Sequence, residues 1–219
     1  MRFAALLFDF DGVLIESEYA GNKQIADWLS ANGHPTTPEQ SMATFMGLAG
    51  AEFHAALERW MGGAIPPGFH DARKAEDARV MREGVDAVAG AVAFVRALPA
   101  DLPRAVVSSS STAWIRRHLD HIGLGDAFAH IYSGREHVAR GKPAPDLYLH
   151  AADRLGVAIA DCAIIEDSPV GATGAVASGG FVIGLTAGSH CAADHGERLR
   201  AIGVDAVAGS FDDVAALLR

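Results

Sequence analysis

Short, almost wholly apolar runs recur along this chain, and each ends abruptly on a polar residue. Phe3-Ala4-Ala5-Leu6-Leu7-Phe8 stops at Asp9, Arg104-Ala105-Val106-Val107 at Ser108, and Cys162-Ala163-Ile164-Ile165 at Glu166. Phe181-Val182-Ile183-Gly184-Leu185 stops at Thr186, and a weaker run is His130-Ile131-Tyr132. Runs this short and without alternation suit strands covered by helices on both faces, as in parallel sheets. Helical patterns lie between them, over Ala113–Ile122, Asp146–Leu155 and Val170–Ser178. The alternation predicts an α/β fold with a doubly wound, Rossmann-like parallel sheet as its core.

One stretch breaks the pattern. From Glu18 to about Val85 there is no convincing strand; Ile25, Trp28 and Leu29 share one helix face, and Phe53, Ala56, Leu57 and Trp60 share another. Gly33-His34-Pro35, Gly47–Gly50 and Gly62–Gly68 punctuate these helices. The expected organisation is an α/β core of residues 1–16 and 86–219 carrying an inserted all-α helical cap domain, 17–85. A chain of 219 residues accommodates both.

No apolar run approaches the ~18 residues of a membrane span, so no membrane partner is expected. The net charge is −9 and Lys and Arg do not cluster, which argues against nucleic acid. Local charge still allows a small anionic substrate. Cys162 and Cys191 lack metal-type spacing, and Met1-Arg2-Phe3 enters the first run without a polar lead or a cleavage site. A cytoplasmic protein, monomeric or weakly homodimeric, is the expectation.

Ligands of open α/β sheets bind at the carboxyl ends of strands, where the informative residues lie. Asp9 and Asp11, as Asp-Phe-Asp, offer two carboxyl groups near one point, and Gly12 lets the chain turn behind them. Paired carboxylates can bind a metal or divide into nucleophile and acid/base. Ser108 places a hydroxyl where a helix begins, a setting that suits a phosphate oxygen or a plain N-cap. Lys142, in Gly141-Lys142-Pro143-Ala144-Pro145-Asp146, sits in a segment stiffened by two prolines and can act as a point charge for phosphate. Glu166 and Asp167 are adjacent acids after a buried strand, which repel unless solvated or bound to a cation such as magnesium. Singly, each has an ordinary reading as a cap, a solvated strand end or a loop lysine.

Together the four sites, in this order and on strand ends, resemble the haloacid dehalogenase superfamily. The pieces are Phe8-Asp9-Phe10-Asp11-Gly12-Val13-Leu14, Val106-Val107-Ser108, Gly141 to Asp146, and Ile164-Ile165-Glu166-Asp167-Ser168. The resemblance spans essentially the whole chain, cap included, and implies a Mg2+-dependent phosphatase acting on a small phosphorylated metabolite. It implies Asp9 as nucleophile, forming an aspartyl phosphate, and Asp11 as acid and then base. Ser108, Ser109 and Lys142 would hold phosphate oxygens. Asp9, Asp11 through its carbonyl, Glu166 and Asp167 would bind the metal. Removing either positive charge, Mg2+ or Lys142, is expected to cost catalysis more than folding.

Retention of Asp11, Glu166 and Asp167 argues against dehalogenation. Lys23 is a cap lysine of the kind that phosphonate hydrolases of the superfamily use for a Schiff base, but an exposed helix lysine is the simpler reading. The nearest chemical alternative is a β-phosphoglucomutase-like phosphoryl transfer. Its cap histidine, cap arginine and core lysine are replaced here by Tyr19-Ala20-Gly21, Gly47-Leu48-Ala49-Gly50 and Ser110-Ser111-Thr112, which favours hydrolysis of a sugar phosphate or phosphogluconate. A phospho-accepting receiver-like signalling module is an alternative of a different class. Gly47 is the expected substrate-selecting position, since a glycine turn lets backbone N–H groups approach a ligand. His118 with His121, and His190-Cys191 with His195, are incomplete ligand sets for zinc and are assigned to surface or packing roles.

Overall fold

The structure, a computed structural model, describes residues 2–46, 48 and 50–219. Contacts between Cα atoms divide it into Met1–Glu16 with Asp86–Arg219, and Ser17–Val85. The first unit holds a sheet of β1 (Ala5–Phe8), β2 (Arg104–Ser108), β3 (His130–Ser133), β4 (Cys162–Glu166), β5 (Phe181–Leu185) and β6 (Ala206–Ala208). The strand order is β3-β2-β1-β4-β5-β6 and every pairing is parallel. The chain winds outward from β1 to β3, returns to β4 on the other side of β1, and winds outward again. The order therefore reverses at β1, the place where an α/β sheet opens a crevice for ligands.

The Ser17–Val85 unit is built from α1 (Ser17–Ala31), α2 (Pro38–Phe45), α3 (Gly50–Met61) and α4 (Pro67–Glu83). Its core gathers Ile25, Leu29, Phe45, Ala56, Leu57 and Phe69, with Trp28 and Trp60 packed against them. Thr37 and Gln40 form a reciprocal capping box that starts α2. The basic side chains here are largely satisfied inside the unit. Lys23 pairs with Asp27, Arg73 donates to the Gly21 carbonyl and to Gln24, and Arg79 bridges Glu76 and Glu83. Gly47 and Ala49 of the Gly47–Gly50 loop lie outside the described residues.

The sheet is flanked by α5 (Ala91–Ala97), α6 (Thr112–His121), α7 (Asp146–Leu155), α8 (Pro169–Ser178), α9 (His195–Ile202) and α10 (Phe211–Leu217). Leu7, Val107, Ile164 and Val182 of the strands bury against Tyr148, Ala151, Ala172 and Ala175 of α7 and α8. Cys162 is buried among them. The short β6 and the helices α5, α9 and α10 lack the long apolar periodicity that marks the rest. Where the chain leaves and rejoins this unit, Ile15 and Ala87 form an antiparallel bridge and the Glu16 N–H donates to the Asp86 carbonyl at 2.9 Å. Among the described residues, no helix is long and apolar enough to cross a membrane.

Candidate active site

Phe8 of β1 stands in register with Val106 of β2 and Ile165 of β4. The residues at and just past the carboxyl ends of these strands thus emerge side by side at one edge of the sheet. They are Asp9, Ser108, Glu166 and Asp167, and all four are buried. Burial of polar side chains at one spot requires that they satisfy each other or a ligand.

The chain turns away after Asp11 at Gly12, whose φ is +83°. A Cβ there would overlap the Asp167 carboxylate and the His190 ring. Both the backbone angle and the space demand glycine. Gly12→Ala is expected to destabilise the protein by about 1–3 kcal/mol and to displace Asp167, with turnover falling as well. A thermal melt and an activity assay check this, and an unchanged melt would count against the tight approach.

Lys142 sits between two acids. Its Nζ lies 2.6 Å from Asp9 Oδ1 and 2.6 Å from Glu166 Oε1, and its side chain is 4% exposed. The approach comes from the loop before α7, whose Lys142–Pro143 peptide is cis. Glu166 is held further by Tyr148 Oη at 2.8 Å, by the Ser168 N–H at 2.9 Å and by Ser168 Oγ at 3.1 Å. With Lys142, four donors meet the four lone-pair directions of this carboxylate. Gly171, one turn into α8, makes room, since any Cβ there would collide with the Glu166 carboxylate. Ser168 caps α8 by accepting from the Gly171 N–H, so the strand end and the helix start are tied together.

Burial pushes the Asp9 carboxyl well above its usual range. Glu166 and Asp167 push the same way and Lys142 opposes. For Lys142 burial works against the charge, but Asp9 and Glu166 outweigh it and hold the ammonium well above its usual pKa. The lysine is therefore charged at neutral pH, within a surplus of negative groups.

Asp11 has a different environment. Its Oδ2 accepts from Ser110 Oγ at 2.6 Å and from Ser108 Oγ at 3.3 Å, and its Oδ1 accepts from Trp114 Nε1 at 3.0 Å. Ser110 and Trp114 belong to no motif, and reading the sequence missed both. Only their positions just past Ser108, at the mouth of α6, hinted at them. Ser111 caps α6 and Thr112 bonds Glu136, so the hydroxyl run after Ser108 is used within the core. Ser109 is exposed.

The chain matches the family described as haloacid dehalogenase-like hydrolase over residues 3–179. It is 33% identical over 192 residues to hexitol phosphatase A of Escherichia coli, with 85% of each chain covered. The 6-phosphogluconate phosphatase of the same organism is 29% identical over 192 residues, covering 86% of this chain and 85% of that one. A solved haloacid dehalogenase family hydrolase from Deinococcus radiodurans, with bound phosphate and sodium, superposes with a TM-score of 0.89. It is 34% identical, covering 99% of this chain and 95% of that one. The chain belongs to the haloacid dehalogenase-like hydrolase family.

For a hydrolase of this family the donor chemistry of the site suits a hard divalent cation. Ligand oxygens of Asp9, Glu166 and Asp167 all lie within 4.8 Å of one another. Three carboxyl groups against one lysine form a surplus of acid that suits a divalent ion. The Glu166 oxygens already meet four donors, so in such a site Glu166 would contribute charge and aim Lys142, while Asp9 and Asp167 would be the chief oxygen ligands. Asp167 also lies 2.8 Å from His190 Nε2, a contact between distant segments that no local motif announced.

Proposed function

We propose that the chain is a Mg2+-dependent phosphatase that hydrolyses a sugar phosphate or phosphogluconate-type phosphomonoester through an aspartyl phosphate on Asp9. The observation that carries the reading is the buried Lys142 ammonium locked between Asp9 and Glu166, beside the separate hydroxyl cradle of Asp11. The names of the relatives, hexitol phosphatase and 6-phosphogluconate phosphatase, support the substrate class.

In this reading Lys142 draws one Asp9 oxygen toward itself and leaves the other for attack on phosphorus. Ser108 and Ser109 hold phosphate oxygens. Asp11 gives its proton to the leaving alkoxide and then takes one from the water that cleaves the acyl phosphate. Asp9, Asp167 and the Asp11 carbonyl would hold magnesium, which would supply positive charge for the phosphoryl oxygens. The Ser17–Val85 unit serves as the cap that selects substrate. Hydrolysis is preferred over mutase chemistry because Tyr19-Ala20-Gly21, Gly47-Leu48-Ala49-Gly50 and Ser110-Ser111-Thr112 stand where a mutase carries a cap histidine, a cap arginine and a core lysine.

A panel of phosphate esters tests this, with hexitol phosphates, 6-phosphogluconate, glucose 6-phosphate and β-glucose 1-phosphate as members. Repeated phosphate release that needs Mg2+ and stops with EDTA supports the reading. Labelling of Asp9 once per chain without release would replace it with the signalling alternative. Trp114→Phe keeps the ring against His118 but removes the indole donor to Asp11. It is expected to lower kcat about tenfold with little change in KM, the effect of one lost charge-assisted bond. An unchanged kcat would remove Trp114 from the positioning of Asp11.

A further inference from the structure

Beside Asp167, the loop after β5 and the start of α9 bring together a second set of donors. One ligand atom each from His190, Cys191 and His195 lies within 4.8 Å of the others. His190 is 4% and His195 1% exposed, and Cys191 is partly buried. Cys191 Sγ lies 3.4 Å from His190 Nε2. The same Nε2 faces Asp167 Oδ2 at 2.8 Å, and a carboxylate on one ring nitrogen orients a histidine to bind a metal through the other.

The orientation of His195 is the more telling observation. Its Nε2 lies 2.5 Å from the Asp167 carbonyl oxygen, to which it donates. That bond leaves Nδ1 as the ring's lone-pair atom, and Nδ1 is buried with no hydrogen-bond partner. A ring N–H on a backbone carbonyl with the opposite nitrogen left basic is the arrangement that orients metal-binding histidines. The loop is also held in place. Gly12 and Gly188 leave just enough room for the His190 ring, and the Ser189 N–H and hydroxyl both donate to the Glu16 carboxylate.

We propose that His190, Cys191 and His195 form a second metal site, for a borderline-soft divalent cation of the Zn2+ class. Two imidazoles and a thiolate favour such an ion over magnesium, whereas the carboxylates of Asp9 and Asp167 favour the reverse. Three protein donors leave one tetrahedral position for solvent. On binding, the S–H bond of Cys191 breaks, its proton goes to solvent, and a metal–sulfur bond forms. The assignment rests on these donors alone and stands apart from the phosphatase reading.

Cobalt(II) is the probe, added to the reduced full-length protein. The expected result is one equivalent bound with a thiolate-to-cobalt charge-transfer band and the strong visible bands of tetrahedral cobalt. Cys191→Ser should lose the charge-transfer band, and Asp9→Asn should keep it. Alkylation of Cys191 by iodoacetamide, followed by mass spectrometry on the wild-type protein, gives a second measurement that needs no variant. Zn2+ should slow it at least tenfold and Mg2+ should leave it unchanged. Absence of the band in the wild-type protein, its survival in Cys191→Ser, or alkylation indifferent to Zn2+ would overturn the assignment.

Discussion

Asp9→Asn is expected to abolish turnover, by about 10^4-fold or more, while making the metal-free protein more stable at neutral pH. The first effect follows from the proposed role of Asp9, since an amide is a poor nucleophile toward phosphorus. The second follows from the site's electrostatics. Burial, reinforced by Glu166 and Asp167, raises the Asp9 carboxyl well above its usual range. A carboxyl whose pKa is higher folded than unfolded supports the fold fully below the unfolded value, about 4. That support is lost as pH rises through the folded value. Asparagine suffers no such loss. Urea unfolding with EDTA should show the variant ahead of wild type at pH 7 and level with it near pH 4. Equal stability at both would show that the buried acids are not in conflict.

Lys142→Ala should damage both fold and chemistry, whereas the expectation from sequence was that catalysis would suffer more than folding. That expectation treated the residue as a loop lysine reaching inward, but its side chain is 4% exposed and touches two acids that are 9% and 0% exposed. Removing one member of a buried ion pair typically costs about 3–5 kcal/mol, because the partner stays buried and uncompensated. The variant should therefore unfold at much lower urea, recover partly in acid as Asp9 takes up a proton, and recover partly with Mg2+. A urea midpoint equal to wild type would refute the account of Lys142 as the site's internal counter-charge.

The sheet and the strand-end acids were legible because their signals are local. Uninterrupted runs such as Cys162–Ile165 leave little choice but a doubly covered strand, and the residue after each run falls at the sheet's carboxyl edge whatever the helices do. Less legible was β6, Ala206–Ala208, three residues long and with no run to announce it. Trp114, Tyr148 and His190 escaped for another reason. Each acts on the site across long sequence distance, 103 residues from Trp114 to Asp11 and 18 from Tyr148 to Glu166. A tryptophan in a helix and a tyrosine in a core look like packing until the acceptor is in view. The same holds for Glu166. Its sequence neighbour Asp167 suggested a shared metal duty, but nothing local announced the four donors on its carboxylate, Lys142 among them.

The bridge between Ile15 and Ala87 has a consequence for how such a chain can change over time. Antiparallel partners stand only about 5 Å apart, so the sheet unit spans almost no gap between Glu16 and Asp86. Whatever sequence lies between these two points is a cassette whose closure is already prepared. Lengthening, exchanging or shortening it alters loop-closure entropy only slightly and leaves the register of β1 with β2 and β4 untouched. In the proposed reading, selectivity can then drift in the cassette while the phosphate chemistry stays anchored in the sheet.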